Sequence, residues 1–265
     1  MIALALSDWP LSRDLLAKQA VDCDYFETAV HYADTAVERF PGRPMLLHNA
    51  IANWSLGHPQ AAELPDALPL TLRRLRATAS PWLSVHLGFS VAEVVFDGVN
   101  RALSAPIERE PLFATICRNL TALRAALPVP LIVENLDYNP SGVYEHICEP
   151  DFITAVVEAT GVGLLLDLAH AQVSAAALGM PIDAYLEALP LDKVLQLHVS
   201  SPRWRDGRLV DVHEPLTERD YDLLRAVLAR TAPRAVTLEY HRDAQALMDQ
   251  LERLRPILGG EAPSV

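Results

Sequence analysis

The stretch PLIVEN, residues 130–135, decides the fold. Leu131, Ile132 and Val133 are apolar without alternation, the pattern of a strand covered on both faces. The run then stops abruptly on a carboxylate, Glu134. The same ending recurs in GLLLDL (163–168, Asp167), VLQLHV (194–199, His198) and AVTLEY (235–240, Glu239). Four more short runs complete a set of eight: IALALS (2–7), DYFET (24–28), PMLLHN (44–49) and WLSVHLG (82–88).

Helical stretches separate the runs. PLSRDLLAKQAV carries Pro10 in its first turn, HYADTAVERF stops before Pro41–Gly42, and LPLTLRRLRATAS stops before Pro81. EPLFATICRNLTALRAAL, EPDFITAVVEAT, PIDAYLEAL, LTERDYDLLRAVLART and DAQALMDQLERLRPIL follow. Strict β/α alternation over eight units predicts an α/β fold, a single-domain (β/α)₈ TIM barrel over residues 1–258 with a C-terminal tail at 259–265. The rival open doubly wound sheet needs a glycine-rich first turn, which is missing.

Bulk properties narrow the function. A net charge of -12 argues against a nucleic-acid partner. Cys23, Cys117 and Cys148 are odd in number and form no CxxC pair, so they read as reduced thiols of a cytoplasmic protein. The opening MIALALSDWP reads as a first strand, too short for a signal peptide or a membrane span. Lys18 and Lys193 are the only lysines against twenty arginines, and Lys193 precedes a strand, away from a barrel mouth. A Schiff-base lysine is therefore disfavoured. No GxGxxG or GxxxxGK[ST] nucleotide loop occurs.

The strand ends carry the chemistry. Glu27, His48, His86, Glu134, Asp167, His198 and Glu239 end seven of the eight runs, and a parallel barrel brings all such ends to one mouth. His170 lies one turn beyond Asp167, and Asp211 and His213 follow the seventh run as D-x-H, a spacing that puts both side chains on one side. Carboxylates that converge raise one another's pKa and destabilise the fold, and bound cations resolve the conflict. The metal-ligand set is therefore read as His48, His86, Glu134, Asp167, His170, His198, Asp211, His213 and Glu239, too many for one ion. Imidazoles beside carboxylates suit Fe, Mn or Zn. Glu134, Asp167 and His198 are taken as the catalytic centre. Glu27, Trp54, Tyr138 and Trp204 are read as substrate-binding, Arg203, Arg205 and Arg208 as a basic cluster on a solvated loop, and His31, His58, His146 and His241 as solvated.

Across these same residues the sequence resembles the DUF692 proteins, multinuclear non-haem iron-dependent oxidative enzymes within the xylose-isomerase-like TIM barrel group. The resemblance runs through YFET, MLLHNAIANWSLG, WLSVHLGF, PLIVENLDY, EPDFITAVVEATGVGLLLDLAHAQVSA, YLEALPLDKVLQLHVSS, DVHEP and TLEYH, in that order over about residues 22–245. It implies two or three irons of mixed valence, with ligand positions on His48, His86, Glu134, Asp167, His198, Asp211, His213 and Glu239. It also implies O₂-dependent oxidation of a cysteine-containing peptide or small thiol, with a partner protein that presents the peptide. DLAH, HVSS and EYH replace the family's usual D-x-N-N, HLAG and EWD, and His170 falls near a position that is often Asn.

Three rival readings remain at this point. One is an Mn- or Zn-dependent sugar isomerase or epimerase, which the lack of a strand-end lysine disfavours. Another is a zinc phosphodiesterase-like hydrolase of the abasic-endonuclease type. The third is a metal- or peptide-binding partner module without catalysis.

Overall fold

Each apolar run read from the sequence becomes a strand of one closed barrel. The computed structural model describes residues 1–49, 55–59, 67–96 and 100–259. Trp54 and all of the expected tail except Gly259 lie outside these residues. The first half comprises β1 (Ala3–Ser7), α1 (Pro10–Ala17), β2 (Tyr25–Ala29), α2 (Ala33–Arg39), β3 (Met45–Asn49), α3 (Ala67–Thr78), β4 (Leu83–His86), β5 (Val94–Phe96), β6 (Asn100–Ala102) and α4 (Arg109–Ala126). Then come β7 (Leu131–Glu134), α5 (Pro150–Thr160), β8 (Gly163–Asp167), α6 (Leu168–Ala177), α7 (Ile182–Glu187) and β9 (Val194–Val199). Last are β10 (Ser201–Arg205), β11 (Arg208–Glu214), α8 (Glu218–Leu228), β12 (Ala235–Leu238) and α9 (Ala244–Ile257). The barrel order is β1-β12-β9-β8-β7-β4-β3-β2, with every pair parallel. This is a single-domain TIM barrel. No helix among the described residues is long and apolar enough to cross a membrane.

Strand alternation sorts the side chains into an outer and an inner set. The outward set packs under the helices: Leu4 and Leu6 of β1, Leu47 of β3, Val133 of β7 and Leu164 and Leu166 of β8 belong to one buried apolar cluster with the helical side chains. The inward set is graded by height. Ala5, Leu46, Trp82, Ile132, Leu165 and Ala235 form a separate apolar plug at the lower end. Above it lie the buried polar side chains Ser84, Gln196 and Thr237, and above these the ionisable residues of the strand ends.

Three elements depart from the sequence reading. α6 follows Asp167 directly, where only PIDAYLEAL had been expected to be helical between the sixth and seventh barrel strands. Leu168 to Ala175 are all buried, so this helix has no polar face and no amphipathic period. The segment after β4 contains the antiparallel pair β5–β6. The segment after β9, expected as a solvated loop, is the antiparallel hairpin β10–β11 with Arg205 opposite Arg208. Asp211 and His213 therefore stand on a strand. Lys193 precedes β9 and pairs with Asp192 at the lower end, as expected.

Just above β4 the chain turns through Gly88 at φ +96°, and a Cβ there would lie 2.6 Å from the Leu56 backbone nitrogen and 2.9 Å from Ser55 Oγ. Ser55 Oγ also accepts from the Phe89 amide at 2.9 Å and ties the two segments together. Gly88→Ala therefore combines a left-handed backbone with a backbone clash. It is expected to lower unfolding stability by about 1–3 kcal/mol, read as a lower urea midpoint. An unchanged midpoint would contradict the close approach.

Candidate metal centre

The barrel register places the strand ends side by side. His86 pairs with Glu134 across β4 and β7, and Asp167 with His198 across β8 and β9. Among the described residues two donor groups result, His48–His86–Glu134 and Glu134–Asp167–His198, each with its donor atoms within 4.8 Å of one another. Glu134 belongs to both. Its Oε2 lies 3.3 Å from His48 Nε2 and 3.1 Å from His86 Nε2, and its Oε1 lies 3.4 Å from His198 Nδ1. The two imidazole Nε2 atoms are themselves 3.3 Å apart. His198 Nδ1 further faces Glu239 Oε1 at 3.5 Å and Asp167 Oδ2 at 3.9 Å.

A third group adjoins these. Asp211 Oδ2 lies 3.3 Å from His213 Nδ1 and 3.7 Å from His170 Nε2. His213 Nε2 reaches Glu239 Oε2 at 3.3 Å. His213 holds a left-handed backbone, φ +49°, which is uncommon for a residue with a side chain and marks local strain beside the site.

A cation fits this arrangement. Glu134 Oε2, Asp167 Oδ2 and His198 Nδ1 are sealed from solvent and make no hydrogen bond. A buried polar atom without a partner is costly, most of all a charged one. Donors held at about 2.0–2.2 Å from one ion stand about 3–3.6 Å from each other, the spacing of Glu134 from His48, His86 and His198. The donors are nitrogen and oxygen without thiolate, a set that suits Fe, Mn or Zn.

The ring tautomers are set from behind. His48 Nδ1 meets Ser84 Oγ at 2.8 Å, and that hydroxyl points on to the Leu47 carbonyl. A hydroxyl turned to Leu47 accepts from His48 Nδ1–H, the tautomer in which Nε2 keeps its lone pair for the site. Burial above all, with His86 and His198 adding, pulls the His48 pKa down to about 4, so it is neutral at pH 7. His170 Nδ1–H donates to the Asn135 carbonyl at 2.9 Å, which leaves its Nε2 facing Asp211. Asn135 also clamps the Asp167 backbone, accepting from its amide at 2.8 Å and donating to its carbonyl at 3.0 Å.

The carboxylates respond in opposite directions. Burial pushes the Asp167 pKa up to about 7, opposed by His170 and reinforced by Glu239, Glu134 and Asp211. Burial acts in the same sense on Glu134 and Glu239, but neighbouring imidazoles outweigh it and hold both well below the usual carboxylate range. Burial lowers and Glu239 raises the His213 pKa, which ends at about 9.

All nine residues expected as ligands thus converge. The residues expected to touch substrate fare differently. Glu27 is buried with its carboxylate taken up by Gln196, Thr237 and His198. Tyr138 donates to Glu145 Oε1 at 3.2 Å, and Trp204 stands 66% exposed on the hairpin. The cavity that opens on the donors, about 610 Å³, lies between the ends of β1, β2 and β12, where Asp8, Trp9, Arg13, Tyr32 and His241 line it beside Glu27, His48 and Glu239. His241, read as solvated, stacks on Trp9 at 4.3 Å. His31 also borders this cavity while remaining exposed, and His146 contacts Glu149. Sequence reasoning missed Trp9 and the wall around it, and the supports Ser84, Asn135, Gln196 and Thr237. Period-two counting back from His86, His198 and Glu239 reaches three of those supports.

Residues 32–258 match the family model described as RiPP precursor modification enzyme MbnB/TglH/ChrH. The chain belongs to this family. Among its relatives, a UPF0276 protein of Caulobacter vibrioides is 29% identical over 231 residues, 85% of this chain and 78% of its own. A UPF0276 protein of Chromobacterium violaceum is 30% identical over 222 residues, 82% of this chain and 78% of its own. Solved structures share the fold. A D-psicose 3-epimerase superposes with TM-score 0.63 at 15% identity, covering 98% of this chain and 100% of its own. Endonuclease IV from Thermus thermophilus gives 0.60 at 18%, covering 97% and 99%.

Asp167 offers a test that separates metal binding from folding. Its folded pKa of about 7 exceeds the ordinary carboxylate value of 3.8. The folded chain therefore keeps a proton that the unfolded chain has released, and stability falls as pH rises through that window. Asn keeps the acceptor for the His170 amide at the start of α6. In chelator-treated protein at pH 8, Asp167→Asn is expected to gain at least about 1 kcal/mol, about 2–4 °C in Tm for a chain of this size. The same variant loses metal affinity in equilibrium dialysis. A lower Tm after chelation would refute the charge conflict.

Proposed function

We propose that this protein is a multinuclear non-haem iron-dependent oxidoreductase that acts on a cysteine-containing peptide or a small thiol. The observation that carries it is Glu134, whose two oxygens serve two adjacent donor groups with sealed, unpartnered atoms in each. That sharing supports two ions, and the Asp211–His213–His170 group supports a third. Membership of a family of peptide-modifying enzymes supports a peptide as substrate. A partner protein that presents the peptide belongs to the same reading.

His48, His86 and Glu134 would hold one ion; Glu134, Asp167, His198 and Glu239 a second; His170, Asp211 and His213 a third. Iron bound there would supply one-electron redox chemistry and coordination positions for O₂ and a substrate thiolate. The chain's own part is positional. Neutral His48 contributes an unprotonated nitrogen, and Glu134 and Glu239 stay ionised and hold positive charge in place. In the metal-free site burial pushes the Asp167 pKa up to about 7, so its carboxyl group would release a proton on binding an ion there. The cavity beside His48 and Glu239 admits the substrate, with Trp9 and Tyr32 as apolar walls. Arg13 is tied to Asp8 and lies 5.3 Å from the Tyr32 ring centre, which fixes that wall.

A second reading, an Mn- or Zn-dependent epimerase or hydrolase, draws on the fold shared with D-psicose 3-epimerase and endonuclease IV. Plasma mass spectrometry of protein purified anaerobically without chelators decides between them. Two to three irons per chain are expected, with O₂ consumption on addition of cysteine peptides. His86→Ala is expected to lose about one equivalent of iron and most of that activity. Stoichiometric zinc or manganese with no iron uptake on reconstitution would overturn the oxidase reading.

A further inference from the structure

Glu27 lines the cavity beside His48 and Glu239, and the barrel interior gives it a further task. Its carboxylate is buried between the apolar plug and the donor groups, on β2, which is followed round the barrel by β1, β12 and β9. Gln196 Nε2 donates to Oε2 at 2.8 Å, and Thr237 Oγ1 donates to the same oxygen. His198 Nε2 lies 3.0 Å from Oε1 and 3.1 Å from Oε2.

The direction of these bonds can be read without ambiguity. Trp82 Nε1–H can only donate, and it donates to Gln196 Oε1 at 2.7 Å. That fixes the Gln196 amide with its NH₂ toward Glu27. A carboxylate can only accept, so the proton on the near side of His198 sits on Nε2. The 3.2 Å approach of Gln196 Nε2 to His198 Nε2 is then two donors sharing one acceptor group. The other ring nitrogen, Nδ1, is left sealed and unpartnered, facing Glu134, Glu239 and Asp167. This is the reverse of His48 and His86, which face the site through Nε2.

We propose that Glu27 is a positioning residue: it holds the proton of His198 on Nε2 and so presents Nδ1 to the cation shared by Glu134, Asp167 and Glu239. Trp82, Gln196 and Thr237 form the relay that orients it. A carboxylate behind a metal-bound imidazole fixes the ring and makes it a better donor, and its loss typically weakens metal affinity about 10- to 100-fold. The proposal rests on the metal reading of the mouth but not on iron, since any divalent ion at that position requires the same nitrogen.

The test uses the full chain loaded with Zn(II), with ¹⁵N-labelled histidine. Long-range ¹H–¹⁵N NMR distinguishes a zinc-bound nitrogen from a protonated one. His198 is expected to appear bound through Nδ1 with a proton on Nε2, and His48 bound through Nε2. Glu27→Gln keeps the side-chain shape and one acceptor. It is expected to weaken the zinc held by His198 about tenfold in chelator competition, with the His48–His86 zinc unchanged, and Glu27→Asp is expected to recover part of the loss. Equal weakening of all zincs, or none, would assign Glu27 a structural role and overturn the proposal. His198 bound through Nε2 in the unaltered protein would overturn it and leave the metal reading standing, whether or not the variants fold. Failure of the unaltered protein to bind Zn(II) would remove both.

Discussion

The barrel mouth gathers more negative charge than a folded chain tolerates unaided. Glu27, Glu134, Asp167 and Asp211 are enclosed at the upper ends of the strands with Glu239 among them, and their nearest positive groups are imidazoles. Arg13, at the edge of the same space, is already committed to Asp8. In a low-dielectric interior such a set must be met by protons or by cations. The positions of the strands, the depth of the polar layer and the tautomers of the rings follow from how that charge is met.

The grading of the interior answers the constraint. An apolar plug closes the lower end, and Trp82 stands at its boundary with an N–H that must find an acceptor. The acceptor is Gln196, which passes the constraint on to Glu27 and so to His198. On the other side of the mouth Ser84 does the same for His48, and the Asn135 carbonyl for His170. His198 and His170 are thus each held by a group that can only accept, and His48 by a hydroxyl. A network satisfied at every link is rigid, whereas one missing partner leaves a buried polar atom exposed to its full desolvation penalty.

Much of this was legible in the sequence because parallel strands buried on both faces write continuous apolar runs, and an ionisable residue at the end of such a run stands out. All eight barrel strands and six of the nine convergent residues came from that signal, while His170, Asp211 and His213 were read from their places just beyond strand ends. What escaped it has physical reasons. α6 is buried from Leu168 to Ala175 and carries no helical period, so LAHAQVSA read as loop. The β10–β11 hairpin is rich in charge and half exposed, so its alternation was masked by arginine. Glu27 sits at a strand end like the others and lines the cavity, but only the folded barrel shows that donors from β9 and β12 take up its carboxylate. The substrate wall at Trp9 and His241 comes from segments just after strands, where position in three dimensions is not written in local pattern.

The pKa pattern shows what the site is built to exchange. By the protein's own charges alone, His198 and His170 are raised well above the ordinary imidazole value and His213 reaches about 9, while Asp167 is pushed up to about 7. Burial opposes the charged form in every one of these groups, so the carboxylates are drawing protons onto the rings against that penalty. A cation needs the same ring nitrogens unprotonated and the same oxygens ionised. Metal and protons therefore compete for one set of atoms, and each ion bound displaces protons from His198, His170, His213 or Asp167. His48 differs, since burial already keeps it neutral. His48 accordingly meets a cation without releasing a proton, and the groups around His198 and Asp211 are those whose occupancy is tied most steeply to pH.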